Sequence, residues 1–124
     1  MIYTYNALIK RVIDGDTFEA EVDLGFKIWA KDRFRLFGYS APETHGDEKP
    51  YGIIAKTKLE SLLVVGRIYV IKTTKPDKYG RWLAEILYPI DETLNAHLIK
   101  QGYGLFWNGQ STRPVFDFRI YPTS

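Results

Sequence analysis

The chain has 124 residues, 45% of them hydrophobic and 15% aromatic, with no cysteine. That length suits one domain spanning residues 1–124 with its own apolar core, and the lack of cysteine excludes a disulfide framework and thiolate metal sites. A balance of 17 basic against 15 acidic residues leaves a formal net charge of +2, so any phosphate recognition must rest on locally placed Lys and Arg, not on a basic tail.

Tyr3 to Ile13 carries β-favouring residues in loose alternation, and Asp14-Gly15-Asp16 is a hairpin signal in which glycine accepts a positive φ. Thr17 to Leu24 alternates, with Phe18, Ala20, Val22 and Leu24 on one face, and predicts a half-buried second strand. Gly25 allows a turn, and Trp29 to Phe37 follows as a third strand. Gly38 to Pro50 reads as a polar loop. Tyr51 to Val64 then reads as a helix with an Ala55, Leu59, Leu62 and Leu63 stripe, ended by Gly66. Arg67 to Thr73 and Trp82 to Tyr88 are expected as strands four and five, joined by a turn over Asp77 to Gly80. Thr93 to Gln101 is a short second helix stopped at Gly102. Phe106, Trp107, Phe116, Phe118 and Tyr121 crowd the remainder, which reads as covered chain with an extended stretch over Val115 to Tyr121. Five strands with a helix between the third and fourth fit a mainly β, α+β fold, a five-stranded Greek-key OB barrel with two helices; a small α+β sandwich is the alternative.

Three short stretches carry chemistry. Hydrolysis of a phosphodiester needs a base to orient or deprotonate water, and cations to offset charge gathering on the nonbridging oxygens. Arg35 at a strand end and Glu43 in the loop beyond it supply one of each. Asp16, just past the hairpin turn, is a usable ligand for a hard cation, whereas Asp14 suits the turn itself. The basic turn Lys75 to Arg81 sets Tyr79 beside Lys78 and Arg81, a pairing of ring and cation that can hold a nucleotide. His45 is expected to be solvated and His97 to pack, and no Ser-His-Asp order, zinc spacing or phosphate-binding glycine loop occurs.

In combination, Ile13-Asp14-Gly15-Asp16-Thr17, Phe34-Arg35-Leu36, Ala41-Pro42-Glu43-Thr44, Tyr51-Gly52, Asp77-Lys78-Tyr79-Gly80-Arg81, Asn95-Ala96 and Gln101-Gly102 resemble the staphylococcal (micrococcal) nuclease, or thermonuclease, family over roughly Leu8 to Gly102. The resemblance implies an OB barrel carrying helices. It also implies calcium-dependent cleavage of DNA and RNA, with flexible or single-stranded substrate and 3′-phosphate ends. Position by position it makes Arg35 and Arg81 the phosphate clamp and Glu43 the general base or water-positioning group. Lys78 and Tyr79 become the grip on a terminal nucleotide phosphate. Asp16, Ser40 and the Ala41 carbonyl take the metal positions.

Ser40 stands where the family has a second aspartate, which predicts weaker metal binding unless Asp14 or Asp47 compensates, and opens magnesium or manganese as alternatives to calcium. Asn108 takes the place of a family tyrosine, leaving Trp107 or Phe106 to stack on a base, and the family's long C-terminal helix has no clear counterpart. The rival reading is a noncatalytic OB module that binds single-stranded nucleic acid or protein. No run approaches the roughly 20 apolar residues of a membrane span. Met1 to Tyr5 lacks signal-peptide features, so the expectation is an intracellular monomer with no membrane partner, a secreted mature form being compatible with the same residues.

Overall fold

A computed structural model of the chain describes residues 3–76, 80–87 and 92–124. Among these residues there are five strands and two α-helices: β1 (Tyr3–Asp14), β2 (Thr17–Asp23), β3 (Trp29–Leu36), α1 (Lys49–Leu62), β4 (Ile68–Pro76), β5 (Trp82–Ile86) and α2 (Leu94–Lys100). The strands close into a barrel in the order β1-β2-β3-β5-β4, the OB arrangement expected from the sequence. Among the described residues no helix is long and apolar enough to cross a membrane.

Closure depends on β1, which is long enough to serve two neighbours. Its first half, Tyr3 to Leu8, pairs with β4, and Ala7 to Asp14 pairs with β2. Register shifts between Ile9 and Arg11 and between Val12 and Asp14 bend the strand around the core. β3 and β5 run parallel, with Phe34 opposite Trp82 and Arg35 opposite Leu83. That register sets Arg81, immediately before β5, level with Arg33 of β3.

Alternation works as read along β2 as far as Val22: Phe18, Ala20 and Val22 are buried and Phe18 stacks on Phe34 at 5.5 Å. Leu24 breaks the pattern and is 47% exposed, because the strand has already turned away from the core. The turn uses three successive positive φ values, at Gly25, Phe26 and Lys27, rather than glycine alone. Gly15 also has a different reason from the one expected. It lies outside the positive-φ set, but a Cβ there would stand 2.7 Å from the Ala55 Cβ and 2.8 Å from the Ala41 Cβ. Glycine is present so that the β1–β2 turn can press against α1.

α1 starts at Lys49 with Pro50 in its first turn, two residues before the expected start, and ends at Leu62 rather than Val64. A 3-10 turn, Gly46–Glu48, precedes it in what read as irregular loop. Ala55, Leu59 and Leu63 bury into one end of the barrel. β4 runs on to Pro76 past an irregularity after Thr73, and β5 stops at Ile86. Thr93 caps α2 by accepting the Ala96 N–H, and Asn95 inside α2 is a buried strut. Its side chain receives the Ile86 N–H and donates to the carbonyls of Phe37 and Ala84. The C-terminal segment forms no regular element, yet Phe116, Phe118 and Tyr121 gather on Tyr51, with the Tyr51 and Phe118 rings 3.9 Å apart.

Candidate active site

The antiparallel register sets Thr17 opposite Arg35, so Asp16 and Arg35 face each other beside the β1–β2 turn. Arg35 Nη2 lies 3.4 Å from Asp16 Oδ2 and donates to the Tyr39 carbonyl at 3.2 Å. The Ala41 N–H donates to that same Asp16 oxygen at 3.0 Å, and the Thr17 hydroxyl to the other at 3.1 Å. Both charged side chains are about seven-eighths covered. The indole of Trp107 lies over the guanidinium of Arg35, 4.8 Å from ring centroid to Cζ.

Glu43 and Arg81 line one open cleft of about 530 Å³ together with Asp32, Arg33, Trp107 and Arg113. Three guanidinium groups against two carboxylates make its walls net cationic although the chain as a whole is nearly neutral. Four contacts hold Glu43. Its backbone N–H donates to Glu48 Oε1 at 2.8 Å, and its carboxylate meets His45 Nε2 at 3.4 Å and Arg113 Nε at 3.7 Å. Gly52 of α1 closes against its carbonyl, where a Cβ would stand 1.9 Å from the oxygen. The two pairs thus meet at Trp107, which lines the Glu43–Arg81 cleft and covers Arg35. Lys78 and Tyr79 lie outside the described residues. His45 is 80% exposed, as expected, and His97 faces Glu92 at 3.9 Å.

The oxygen donors around Asp16 suit a hard cation in part. Ser40 is fully buried and its hydroxyl has no hydrogen-bond partner among the described residues. Burial, and then the neighbouring charge of Asp16, pushes the Asp14 carboxyl up to about 7, the signature of two acids crowding one site. A divalent ion would relieve that crowding. The Ala41 carbonyl, by contrast, is engaged by Arg113 Nη2 at 2.8 Å, and among the described residues no three acidic or histidine side chains converge. This donor set matches an ion that keeps much of its water better than one caged by protein.

Arg113 and Glu48 were not singled out by the sequence. Arg113 pairs with Glu48 at 2.9 and 3.3 Å, and that pairing holds the Glu48 carboxyl below its usual range. Arg113 sits in an aperiodic tail, so only the packing of Phe116 and Phe118 behind it brings it back to the loop. A single Arg with no pattern around it carries no signal.

Comparison with known proteins agrees with this architecture. Residues 33–114 match the family described as Staphylococcal nuclease homologue. The chain is 37% identical over 99 residues to a thermonuclease of Staphylococcus intermedius, covering 77% of this chain and 55% of that protein. It is 28% identical over 109 residues to the endonuclease YhcR of Bacillus subtilis, covering 80% of this chain and 9% of that protein. An uncharacterized protein of Methanocaldococcus jannaschii is 30% identical over 124 residues, with 80% and 58% covered. The chain therefore spans little more than half the length of the first of these relatives, or less. By the extent of the family match and the barrel that carries it, the chain belongs to the staphylococcal nuclease homologue family.

Proposed function

We propose that the chain is a nuclease that hydrolyses phosphodiester bonds of flexible, single-stranded DNA or RNA and leaves 3′-phosphate ends. The observation that carries this reading is the shared cleft of Glu43 and Arg81, an acid and a guanidinium on a net cationic wall, beside the Asp16–Arg35 pair. A phosphate entering the cleft meets Arg81, whose planar fork suits its oxygens. Arg35, anchored by Asp16 and Tyr39, provides the second cation beneath Trp107 at the edge of the same cleft. Glu43 orients or deprotonates the attacking water, and its tethers limit the rotation of its carboxylate. The negative charge building on the phosphate oxygens is then met by cations already in place, where such stabilisation is most effective. Lys78 and Tyr79 would hold a neighbouring nucleotide.

Asp16, with Ser40 and Ala41 beside it, would hold a divalent ion, calcium as in the family resemblance or magnesium or manganese. When bound, the ion supplies positive charge toward a phosphate oxygen. The test is release of acid-soluble product from denatured DNA and from RNA with calcium, magnesium, manganese or chelator, followed by end-group analysis. Cleavage with 3′-phosphate ends in at least one ion supports the reading. Tight binding without cleavage in every condition would leave the noncatalytic binding module in its place.

A further inference from the structure

The end of the barrel remote from α1 is open. α1 closes one end by pressing Ala55 and Leu59 into the core, with Ala55 against the Gly15 turn. At the other end, beyond Tyr5 of β1, the strands enclose a groove of about 310 Å³ with a mainly apolar lining that includes Tyr3, Tyr5, Leu24, Phe34, Trp82 and Asp32. We propose that this groove is a subsite for one unpaired nucleobase of the strand whose phosphate occupies the Glu43–Arg81 cleft, an inference that rests on the nuclease reading above.

Three observations favour this occupant. Groove and cleft are adjacent: Asp32 lines both, and Arg81 of the cleft precedes Trp82 of the groove in the chain. A nucleotide has the same anatomy, a flat ring beside a charged phosphate. The cleft walls are cationic and the groove is aromatic, which matches phosphate and base in that order. Finally, the indole of Trp82 is fixed, not loose: its Nε1–H donates to Asp32 Oδ2 at 3.0 Å, while Asp32 Oδ1 accepts the Arg33 N–H at 2.8 Å. Trp82 stays 37% exposed and Tyr3, stacked on Tyr5, 50% exposed, so part of each side chain remains open to a ligand. A ring held in advance loses little freedom on stacking. The Asp32 oxygens keep lone pairs that can accept N–H groups from a base edge. The size is adequate, since ligand pockets start at about 300 Å³.

The experiment compares a single-stranded oligodeoxyadenylate with its abasic counterpart, using the full chain. Cleavage gives KM and kcat, and fluorescence anisotropy in chelator gives Kd without cleavage. Trp82→Ala should raise both KM and Kd for the base-bearing strand about tenfold, the equivalent of about 1.4 kcal/mol, with little change in kcat. Trp82→Phe should recover most of that loss, and the abasic strand should bind wild type and Trp82→Ala alike. Tyr3→Ala, at a half-exposed ring, should give a smaller loss confined to the base-bearing strand. Equal losses on both strands, or no loss on either, would overturn the subsite. If no ion supports cleavage the nuclease reading fails by itself, and the anisotropy comparison still decides the subsite in the same terms.

Discussion

Arg113 Nε lies 3.7 Å from Glu43 Oε1, and the same guanidinium donates to the carbonyl of Ala41, 72 residues earlier in the chain. One cation from the C-terminal segment thereby spans the loop that carries both the candidate base and a candidate ligand carbonyl. Without it, Glu43 and Glu48 would be left as neighbouring like charges, with the bond from the Glu43 N–H to Glu48 and the exposed His45 beside Glu43. Arg113→Ala is therefore expected to lower kcat about 10- to 100-fold, the scale of a misplaced catalytic group. Arg113→Lys should recover only part, since a single ammonium nitrogen lacks the planar fork whose three nitrogens reach Glu43, Glu48 and the Ala41 carbonyl. Steady-state kinetics on denatured DNA, with thermal melting alongside, would separate lost positioning from lost folding. Unchanged kcat in Arg113→Ala would show that the tether is irrelevant to turnover.

Removing either guanidinium of the proposed phosphate clamp should cost more. Arg35→Ala and Arg81→Ala are each expected to reduce kcat about 10²–10³-fold. Arg35→Ala should also lower the melting temperature, because it strips Asp16 and the Tyr39 carbonyl of a partner. A wild-type rate of digestion by Arg81→Ala would remove that residue from the mechanism.

Gly52 tests how closely the helix supports the loop. A methyl group there must displace the Glu43 backbone, whose carbonyl carbon and oxygen would lie 2.4 and 1.9 Å from the new Cβ. Gly52→Ala should cost at least the ~1–3 kcal/mol of an overpacked site, lowering Tm by about 5–10 °C. Activity measured below the melting transition should fall with it, and an unshifted Tm would contradict the packing described.

The Glu48–Arg113 pair makes stability depend on acid. Hydrogen bonding from Arg113 holds the folded Glu48 carboxyl below its ordinary value of 4.5, so the folded state prefers the ionised form. Its contribution is fully present above pH 4.5 and is lost as pH falls through the lower folded value. Both partners are partly exposed, which limits the pair to about 1 kcal/mol. Wild type should melt higher than Glu48→Gln at neutral pH, and the gap should close on acidification. A gap that stays constant to pH 2 would argue that charge is not its source.

Ser40 offers a test of the cation locus that needs no turnover. Ser40→Asp buries a new carboxylate beside Asp16, and should lower Tm in chelator because an unpaired buried charge is costly. Calcium should restore it, by about 2.7 kcal/mol at a hundredfold excess over Kd, through binding to the folded state alone. If calcium leaves the melting curve of Ser40→Asp unmoved, Asp16 and its neighbours do not form a cation site.

Local chemistry determined much of this protein directly from the order of its residues. Alternation placed Phe18, Ala20 and Val22 inward, the spacing of Ala55 and Leu59 marked the buried face of α1, and Arg35, Glu43 and Arg81 stood out as charges at strand ends and turns. These are short-range properties, set by the two-residue period of a strand and the 3.6-residue period of a helix. Tertiary structure alone decided which charges meet. The parallel β3–β5 pair sets Arg81 on the wall of the cleft that Glu43 also lines, the Thr17–Arg35 register locks Asp16 to Arg35, and the aromatic packing on Tyr51 accompanies the return of Arg113 onto Ala41 and Glu48. It also made Gly15 a contact with α1 where the turn pattern suggested a positive φ. Contacts between residues distant in the chain follow from strand register and barrel closure, which no local periodicity encodes.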